Sequence, residues 1–412
     1  MTTNSQPLPL TGVRVIDYSH FLAGPHIGRC LAAMGAEVIK VERPREGDAG
    51  RAHGYFKDGQ SGYFLQQNMG KDGLCIDLKD KRGLKMMQDL VRTADVFIEN
   101  YRPGALDKLG LGYRELSALN PRLVYCSVSA YGHTGPESHR AGFGLIAEAK
   151  SGIMAMVGNP GEAPPLLRAP LGDMYTGTHG VAAVCAALYG RVTSGKGQHI
   201  DLALYDCLVS MHDYAVQRYF MSGEKDIPRQ TGSGAPDTPL YGIFPTMDDY
   251  IVIAAQMDDT WARLARLIGG EALAGDARFS TPPARAANYA EATRLATEWT
   301  KTKTSAEALA TLDAAGVTCA RVQTIDQVLA DPQIIARKMV VEQEHPVLGT
   351  VRLPNLPFRF SDCDTTPKKR APFLGEHNVA IARSLGLAEA EIEAMVKDGV
   401  LYAESYVATL KG

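Results

Sequence analysis

One carboxylate in the 412-residue sequence stands where covalent chemistry could be done. Asp173 lies in Ala169-Pro-Leu-Gly-Asp173-Met-Tyr-Thr-Gly177-Thr-His-Gly180, where a Gly/Pro-rich loop runs into an apolar helical stretch. The same physics supports two roles. As an N-cap, Asp accepts from backbone N–H groups left unpaired in the first helical turn. As a nucleophile it must be ionised, a form that a helix N-terminus favours, and an ionised carboxylate is what catalysis through an acyl anhydride requires. Gly172 and Gly177 would let a substrate come close to the backbone. Pattern alone leaves both roles open.

Other candidate motifs fall away on context. Gly190-Arg-Val-Thr-Ser-Gly195-Lys196-Gly197 imitates a phosphate-binding loop but ends in Gly where Ser or Thr should hold magnesium. It also follows a helix and precedes a strand, the reverse of the order that places phosphate on a helix N-terminus. Gly142-Phe-Gly144-Leu-Ile-Ala147 imitates a dinucleotide fingerprint yet is not tied to the first strand. The ten histidines form no H-E-x-x-H pattern, and no Gly-x-Ser-x-Gly elbow is present. An NTPase, a dehydrogenase, a zinc hydrolase and a serine hydrolase of that type therefore lack their anchors.

The elements that must position Asp173 read as α/β. Short β-branched runs at 13–17, 37–42, 74–78, 96–99 and 123–128 alternate with helical stretches at 27–34 and 80–93, which argues for a parallel sheet with crossover helices. A helix is expected over 176–189, a strand over 199–204 and a long apolar helix over 206–220. Residues 222–239 are polar and rich in Gly and Pro, a loop or linker. The runs 241–244 and 250–254 suggest an antiparallel hairpin, followed by helices near 261–268, 289–300 and 306–315. The expected division is 1–221 as the first part of a large domain, 222–340 as a small α+β domain, and 341–412 as a return to the large one.

Lys and Arg total 43 against 46 Asp and Glu, a net charge of −3, which gives no chain-wide attraction to nucleic acid or an anionic membrane. No apolar run reaches the roughly 18 residues of a membrane span. Seven scattered cysteines lacking a C-x-x-C pair point to a reduced, cytoplasmic setting without structural zinc.

Beyond the residues taken singly, the chain resembles the class III coenzyme A transferases, a group that includes formyl-CoA, oxalate, carnitine and succinyl-CoA-dependent transferases and the related 2-methylacyl-CoA racemases. The resemblance is carried by Gly12-Val-Arg-Val-Ile-Asp17-Tyr-Ser-His20-Phe-Leu-Ala-Gly24-Pro25, Gly35-Ala-Glu-Val-Ile-Lys-Val-Glu-Arg43-Pro, Gly47-Asp48, Arg51, Asn68 with Lys71, and Glu99-Asn100-Tyr-Arg-Pro-Gly104. Leu171-Gly172-Asp173 and Leu374-Gly375-Glu376-His377 complete it in order along nearly the whole chain. It implies a Rossmann-like large domain whose parallel sheet is formed by both chain ends, a smaller α+β domain, and an interlocked homodimer.

The resemblance also implies an activity: CoA passes from an acyl-CoA to a small carboxylate, with no permanently bound cofactor and no metal. Asp173 is then the nucleophile, forming an aspartyl anhydride and next an aspartyl-CoA thioester. The matching CoA contacts are His20, Phe21, Leu22, Ala23, Arg43, Lys79, Asn100, Tyr101 and Lys108. Arg43, Lys79 and Lys108 suit an anionic nucleotide, although a lone surface cation is ordinarily just solvated. Three departures refine the choice. Leu22 replaces the glutamine of formyl-CoA transferases, and Phe143-Gly144 replaces the histidine–aspartate pair that racemases use at an α-carbon, which favours transfer over racemisation. Glu148 stands where many relatives have glutamine, either assisting Asp173 or holding nearby backbone. Arg51, His53, Arg140 and Arg168 are candidates to meet a distal carboxylate, which makes succinyl-CoA or another short dicarboxylyl thioester the expected donor. Gly232-Ser233-Gly234 matches either a mobile loop over the aspartate or a plain linker.

Overall fold

The computed structural model describes residues 7–405. The chain divides into two compact units. The first takes the residues up to Ser151, Leu167–His212 and the chain from Pro332 onward; the second takes Gly152–Leu166 and Asp213–Asp331. The chain thus passes between units at 212/213 and 331/332, against the 221/222 and 340/341 read from composition, and a short excursion at 152–166 precedes the main one.

The first unit is built on six parallel strands. In chain order they are β1 (Arg14–Tyr18), β2 (Glu37–Glu42), β5 (Asp72–Cys75), β6 (Val96–Glu99), β7 (Val124–Ser129) and β8 (Gln198–Ala203). A two-residue hairpin, β3 (Phe56–Lys57) with β4 (Gln60–Ser61), lies between the second and third. Spatial order is β5-β2-β1-β6-β7-β8. Counting sheet strands alone, this is the doubly wound order 3-2-1-4-5-6, whose reversal between β1 and β6 opens a crevice at the carboxyl ends of those strands.

Burial explains the strand sequences. Val15, Ile16, Val96, Phe97, Ile98 and Val124 are all fully buried, as parallel strands covered on both faces must be. Helices α1 (Ala23–Ala33), α2 (Gly62–Asn68), α3 (Lys81–Thr93), α4 (Tyr113–Leu119), α5 (Gly144–Lys150), α6 (Leu171–Ser194) and α7 (Leu204–Ser210) complete the layers, with α6 packed on α1, α5 and α7. The α3 face Met86, Met87, Leu90, Val91 packs into the core beside Ile16, Ile39, Leu74 and Phe97. Each such side chain contributes about 1.5–3 kcal/mol.

The expectation that both chain ends build the sheet needs correction. All six strands come from residues 14–203. The C-terminal part adds helices over 378–384 and 389–397, whose Ile381, Ala382, Ile392 and Met395 join the same core, and an isolated antiparallel bridge between Ile76 and Leu401. Its apolar residues recur at three- and four-residue spacing, so the segment covers the sheet rather than extending it. A hairpin of β12 (Val340–His345) and β13 (Gly349–Pro354) also belongs to this unit.

The second unit holds a three-stranded antiparallel sheet, ordered β11 (Thr318–Arg321), β10 (Tyr250–Ala254), β9 (Tyr241–Pro245). Its core joins Phe244, Ile251 and Ile253 to Trp261, Phe279 and Leu312. The long helix expected over 206–220 is two short ones, α7 and α8 (Ala215–Met221), and the break coincides with the passage between units. No helix among the described residues is long and apolar enough to cross a membrane.

Candidate active site

The loops leaving β1 and β6 meet at the strand-order reversal. The His20 N–H donates to Asn100 Oδ1 at 2.8 Å, and Asn100 Nδ2 donates to the His20 carbonyl at 2.7 Å. One side chain thereby fixes both polar groups of a backbone residue 80 positions away. The next residue, Phe21, has φ +63°, a left-handed conformation uncommon without glycine. Its N–H donates to Asp48 Oδ1 at 2.9 Å, which holds the turn.

A buried ionic frame lies beneath this turn. Lys40 Nζ meets Asp48 Oδ2 at 2.8 Å, and Lys71 Nζ meets Asp17 Oδ2 at 2.6 Å, with all four side chains excluded from water. Lys71 also donates to the Pro25 carbonyl and Asn68 Oδ1, and Lys40 donates to the Ser19 carbonyl. Burial alone would raise the Asp17 carboxyl; Lys40 and Lys71 outweigh it and hold the group below its usual range. The motif strings contain these residues without revealing their work. The available signal was a lysine at the centre of Val-Ile-Lys-Val-Glu, a charge inside a strand otherwise fit for full burial.

Two cavities share this turn. One, of about 390 Å³, is lined by His20, Phe21, Asn100, Tyr101, Arg140 and Phe143 among others. The second, of about 200 Å³, is lined by Ser19, His20, Phe21, Arg43, Asp48 and Tyr101 among others. Of the expected CoA contacts, His20, Phe21, Arg43, Asn100 and Tyr101 are therefore brought together. Leu22 and Ala23 are 5% and 2% exposed and line neither cavity; they start α1 inside the core. Lys79 and Lys108 are exposed and line neither cavity.

Asp173 lines neither cavity; its carboxylate lies against Gly144, the residue after Phe143, which lines the larger one. Helix α6 begins at Leu171, five residues earlier than expected, so Asp173 occupies its first turn and not the capping position. Pro170 is the N-cap and supplies no side-chain bond. The cap comes from α5: Glu148 Oε1 accepts the Gly172 N–H at 3.0 Å. The capping role open to Asp173 in the sequence is thus filled by another residue. Burial first, and the Glu148 carboxylate second, push Asp173 up to about 6.

The flanking glycines serve a purpose other than the one expected. A Cβ on Gly172 would lie 3.1 Å from Gly144 Cα, and one on Gly177 would lie 2.9 Å from the Ala23 carbonyl. Both permit helices to approach α6 and neither is open to substrate. Four rings border the carboxylate region. Phe21 meets Phe143 edge-on at 6.0 Å and His53 at 5.0 Å, and His53 lies 6.4 Å from Tyr63. Burial, followed by Asp173 and Asp48, raises the Tyr63 hydroxyl, which places it within electrostatic reach of the nucleophile candidate. His53 is one of the candidates for a distal carboxylate named from the sequence, whereas Tyr63 was not singled out there. Arg51 is fully engaged: it grips Glu42 at 2.7 and 2.9 Å, donates to the Pro372 carbonyl and covers the Phe64 ring at 3.6 Å. Arg140 meets Glu137 at 2.6 Å on the surface while lining the larger cavity. Arg168 is exposed. In the second unit, Ser233 accepts the Ile243 N–H at 2.7 Å and Gly234 bridges Gly242, so Gly232–Gly234 runs beside β9.

A model of the family described as CoA-transferase family III matches residues 10–378. The chain belongs to that family. It is 36% identical over 395 residues to the succinyl-CoA–D-citramalate CoA-transferase of Chloroflexus aurantiacus, covering 95% of this chain and 98% of that one. It is 36% identical over 392 residues to the succinate–glutarate CoA-transferase of Agrobacterium fabrum, covering 93% and 96%. Among solved structures, a CAIB/BAIF family protein from Brucella suis superposes with TM-score 0.82 at 38% identity, covering 92% of this chain and all of that one. The protein is a CoA-transferase, and its substrates are a CoA thioester and a carboxylate.

Proposed function

We propose that this transferase moves CoA from succinyl-CoA, or another short dicarboxylyl thioester, to a small carboxylate, with Asp173 carrying the covalent intermediates. The observation that supports this most is the setting of Asp173. A carboxylate with raised proton affinity sits in the first turn of a helix and against Gly144, whose preceding residue Phe143 lines a cavity at the strand-order reversal. That combination gives an ionised yet reactive nucleophile at neutral pH.

The steps conserve charge and need no external acid. Asp173 attacks the thioester carbonyl, the C–S bond breaks, and the electron pair leaves on the CoA sulfur. The thiolate then attacks the aspartyl carbonyl of the anhydride and releases the donor's carboxylate. The acceptor carboxylate attacks the aspartyl thioester and expels thiolate, which takes the new acyl group and frees Asp173. Each step exchanges one activated acyl bond for another.

His20, Phe21, Arg43, Asn100 and Tyr101 hold CoA along the two cavities, and Leu22 and Ala23 contribute through their backbone at the head of α1. Lys79 and Lys108 meet phosphate from the surface. Arg140, which lines the larger cavity together with Arg102, is suited to a distal carboxylate, and the names of the two relatives, which specify succinyl-CoA, succinate and glutarate, support a dicarboxylyl donor. We further place the enzyme in the cytoplasm as an interlocked homodimer. Seven unpaired cysteines support the first, and the exposed α6 side chains Tyr189 and Val192 support the second. Sedimentation at twice the 44.4 kDa chain mass would bear out the dimer.

The deciding experiment is intact-protein mass after mixing with succinyl-CoA, followed by hydroxylamine or borohydride trapping and peptide mapping. A CoA-sized adduct on Asp173 that is absent from Asp173→Ala is expected. No adduct with succinyl-, acetyl- or oxalyl-CoA would overturn the reading.

A further inference from the structure

The residue that caps α6 is charged where a neutral one would do. Glu148 lies on α5, one turn after Gly144, and is 2% exposed. Its Oε1 accepts from Gly172, the residue just before the nucleophile. With Pro170 at the N-cap, this N–H has no local side-chain acceptor and must be satisfied from outside the helix. A glutamine carbonyl would accept the same bond without burying a charge. A second carboxylate is present instead, on the helix that packs against the start of α6. The close pairing of Gly144 with Gly172 brings the two helices together, and Asp173 Oδ2 lies 2.3 Å from where a Cβ on Gly144 would stand. The glycine contact thereby holds the Glu148 carboxylate, bonded to the residue before Asp173, close enough for its charge to act on Asp173.

We propose that Glu148 is a positioning residue for transfer: its hydrogen bond fixes the first turn of α6, and its charge disfavours free ionised Asp173 relative to acylated Asp173. When Asp173 attacks the thioester, its negative charge leaves with the CoA sulfur. Repulsion from Glu148 is thereby relieved in the covalent intermediates and present only in the free enzyme. A buried pair of like charges drives the first step toward the acylated state, while the capping bond keeps the nucleophile aimed. The raised proton affinity of Asp173, with Glu148 among its causes, accords with this.

The other charged and titratable groups around the start of α6 include His53, whose ring meets Phe21 and Tyr63. From α1, burial brings His26 down to about 4, and Arg29 donates to the Pro354 carbonyl. Tyr63 from α2 is raised by burial. Cys207 of α7 and Cys126 of β7 are likewise raised by burial, and Asp206 of α7 is exposed.

This inference rests on the covalent role of Asp173, and its test separates the two. The single-turnover rate of adduct formation from succinyl-CoA is followed by quenched intact mass between pH 4.5 and 9, in the wild type and in Glu148→Gln. The amide keeps the capping bond and removes the charge. The wild-type rate should be half-maximal near pH 6, and in Glu148→Gln the acid limb should move down by about half to one pH unit with the plateau several-fold lower. Superimposable profiles, with an adduct in both, overturn the role of Glu148 alone. No wild-type adduct at any pH overturns the covalent reading, and this inference with it. Should Glu148→Gln fail to fold by circular dichroism and gel filtration, the wild-type profile still decides: a half-maximal rate below pH 5 overturns the proposal.

Discussion

The Asp173 carboxylate occupies the space where a side chain at position 144 would begin. A Cβ on Gly144 would stand 2.3 Å from Asp173 Oδ2 and 3.4 Å from its backbone nitrogen. The nucleophile candidate and the N-terminus of α5 are therefore fitted to each other, and the smallest side chain is too large for the arrangement.

Gly144→Ala tests that fit. The methyl group must displace either the carboxylate or the start of α5, an overpacking that costs about 1–3 kcal/mol. If the carboxylate moves, kcat falls at least about tenfold, since misplacing a reacting group by an ångström is enough for that, while KM for the CoA thioester changes little. Steady-state kinetics at saturating acceptor gives the answer.

Asp173→Asn should abolish transfer and stabilise the protein. The carboxyl is about 6 in the fold, against about 4 in an unfolded chain, so the folded form holds its proton more tightly. Its ionised state thus opposes folding above pH 6, by about 2–3 kcal/mol at most, and the opposition disappears as pH drops below about 4. The variant's gain in Tm should be largest at pH 8, shrink through pH 6 and vanish near pH 4. Calorimetry at those three values checks the sign.

Asn100→Ala removes both bonds to the His20 backbone and frees Phe21 from its left-handed turn. Two hydrogen bonds of about 1 kcal/mol each are lost. The larger effect should be on substrate, with KM for the CoA thioester rising about tenfold or more because both cavities share the turn. Isothermal titration with CoA separates this binding loss from a change in chemistry.

Lys71→Met leaves Asp17 without its nearest buried cation. Removing one partner of such a pair typically costs about 3–5 kcal/mol, so urea unfolding should shift by that amount. Changing Arg43, whose ion pair with Glu46 is exposed, should hardly affect stability.

How far the sequence carried depends on what kind of interaction each residue makes. Strand β6 over 96–99 and the helix Tyr289–Thr300 in the second unit fall on the expected residues, because continuous burial and a regular apolar period are local signals. The start of α6 was misplaced by five residues: Pro170-Leu-Gly reads as loop, and the acceptor that permits an earlier start, Glu148, lies 24 residues away. Asp173 was found through its motif, while the reason for its reactivity was not, since desolvation depends on packing. Likewise Asp17, Lys40, Asp48 and Lys71 look like ordinary strand and loop charges until the sheet brings them together. The division of the cations was also hidden, because Arg51 and Arg140 are alike in sequence, yet Arg51 is tied to Glu42 and the Pro372 carbonyl whereas Arg140, paired with Glu137, still lines a cavity.

The bridge between Ile76 and Leu401 has a consequence for biosynthesis. The Asp77 N–H donates to the Val400 carbonyl, and Met395 and Leu401 fill the same core as Leu74 and Met86. A ribosome making this chain will have released all six sheet strands long before the residues that cover one face of the sheet leave the exit tunnel. The nascent sheet must wait with apolar surface uncovered, a state prone to aggregation and to capture by chaperones. Slow codons near the 3′ end of the message would lengthen that exposure, and a stop codon before residue 378 would make it permanent.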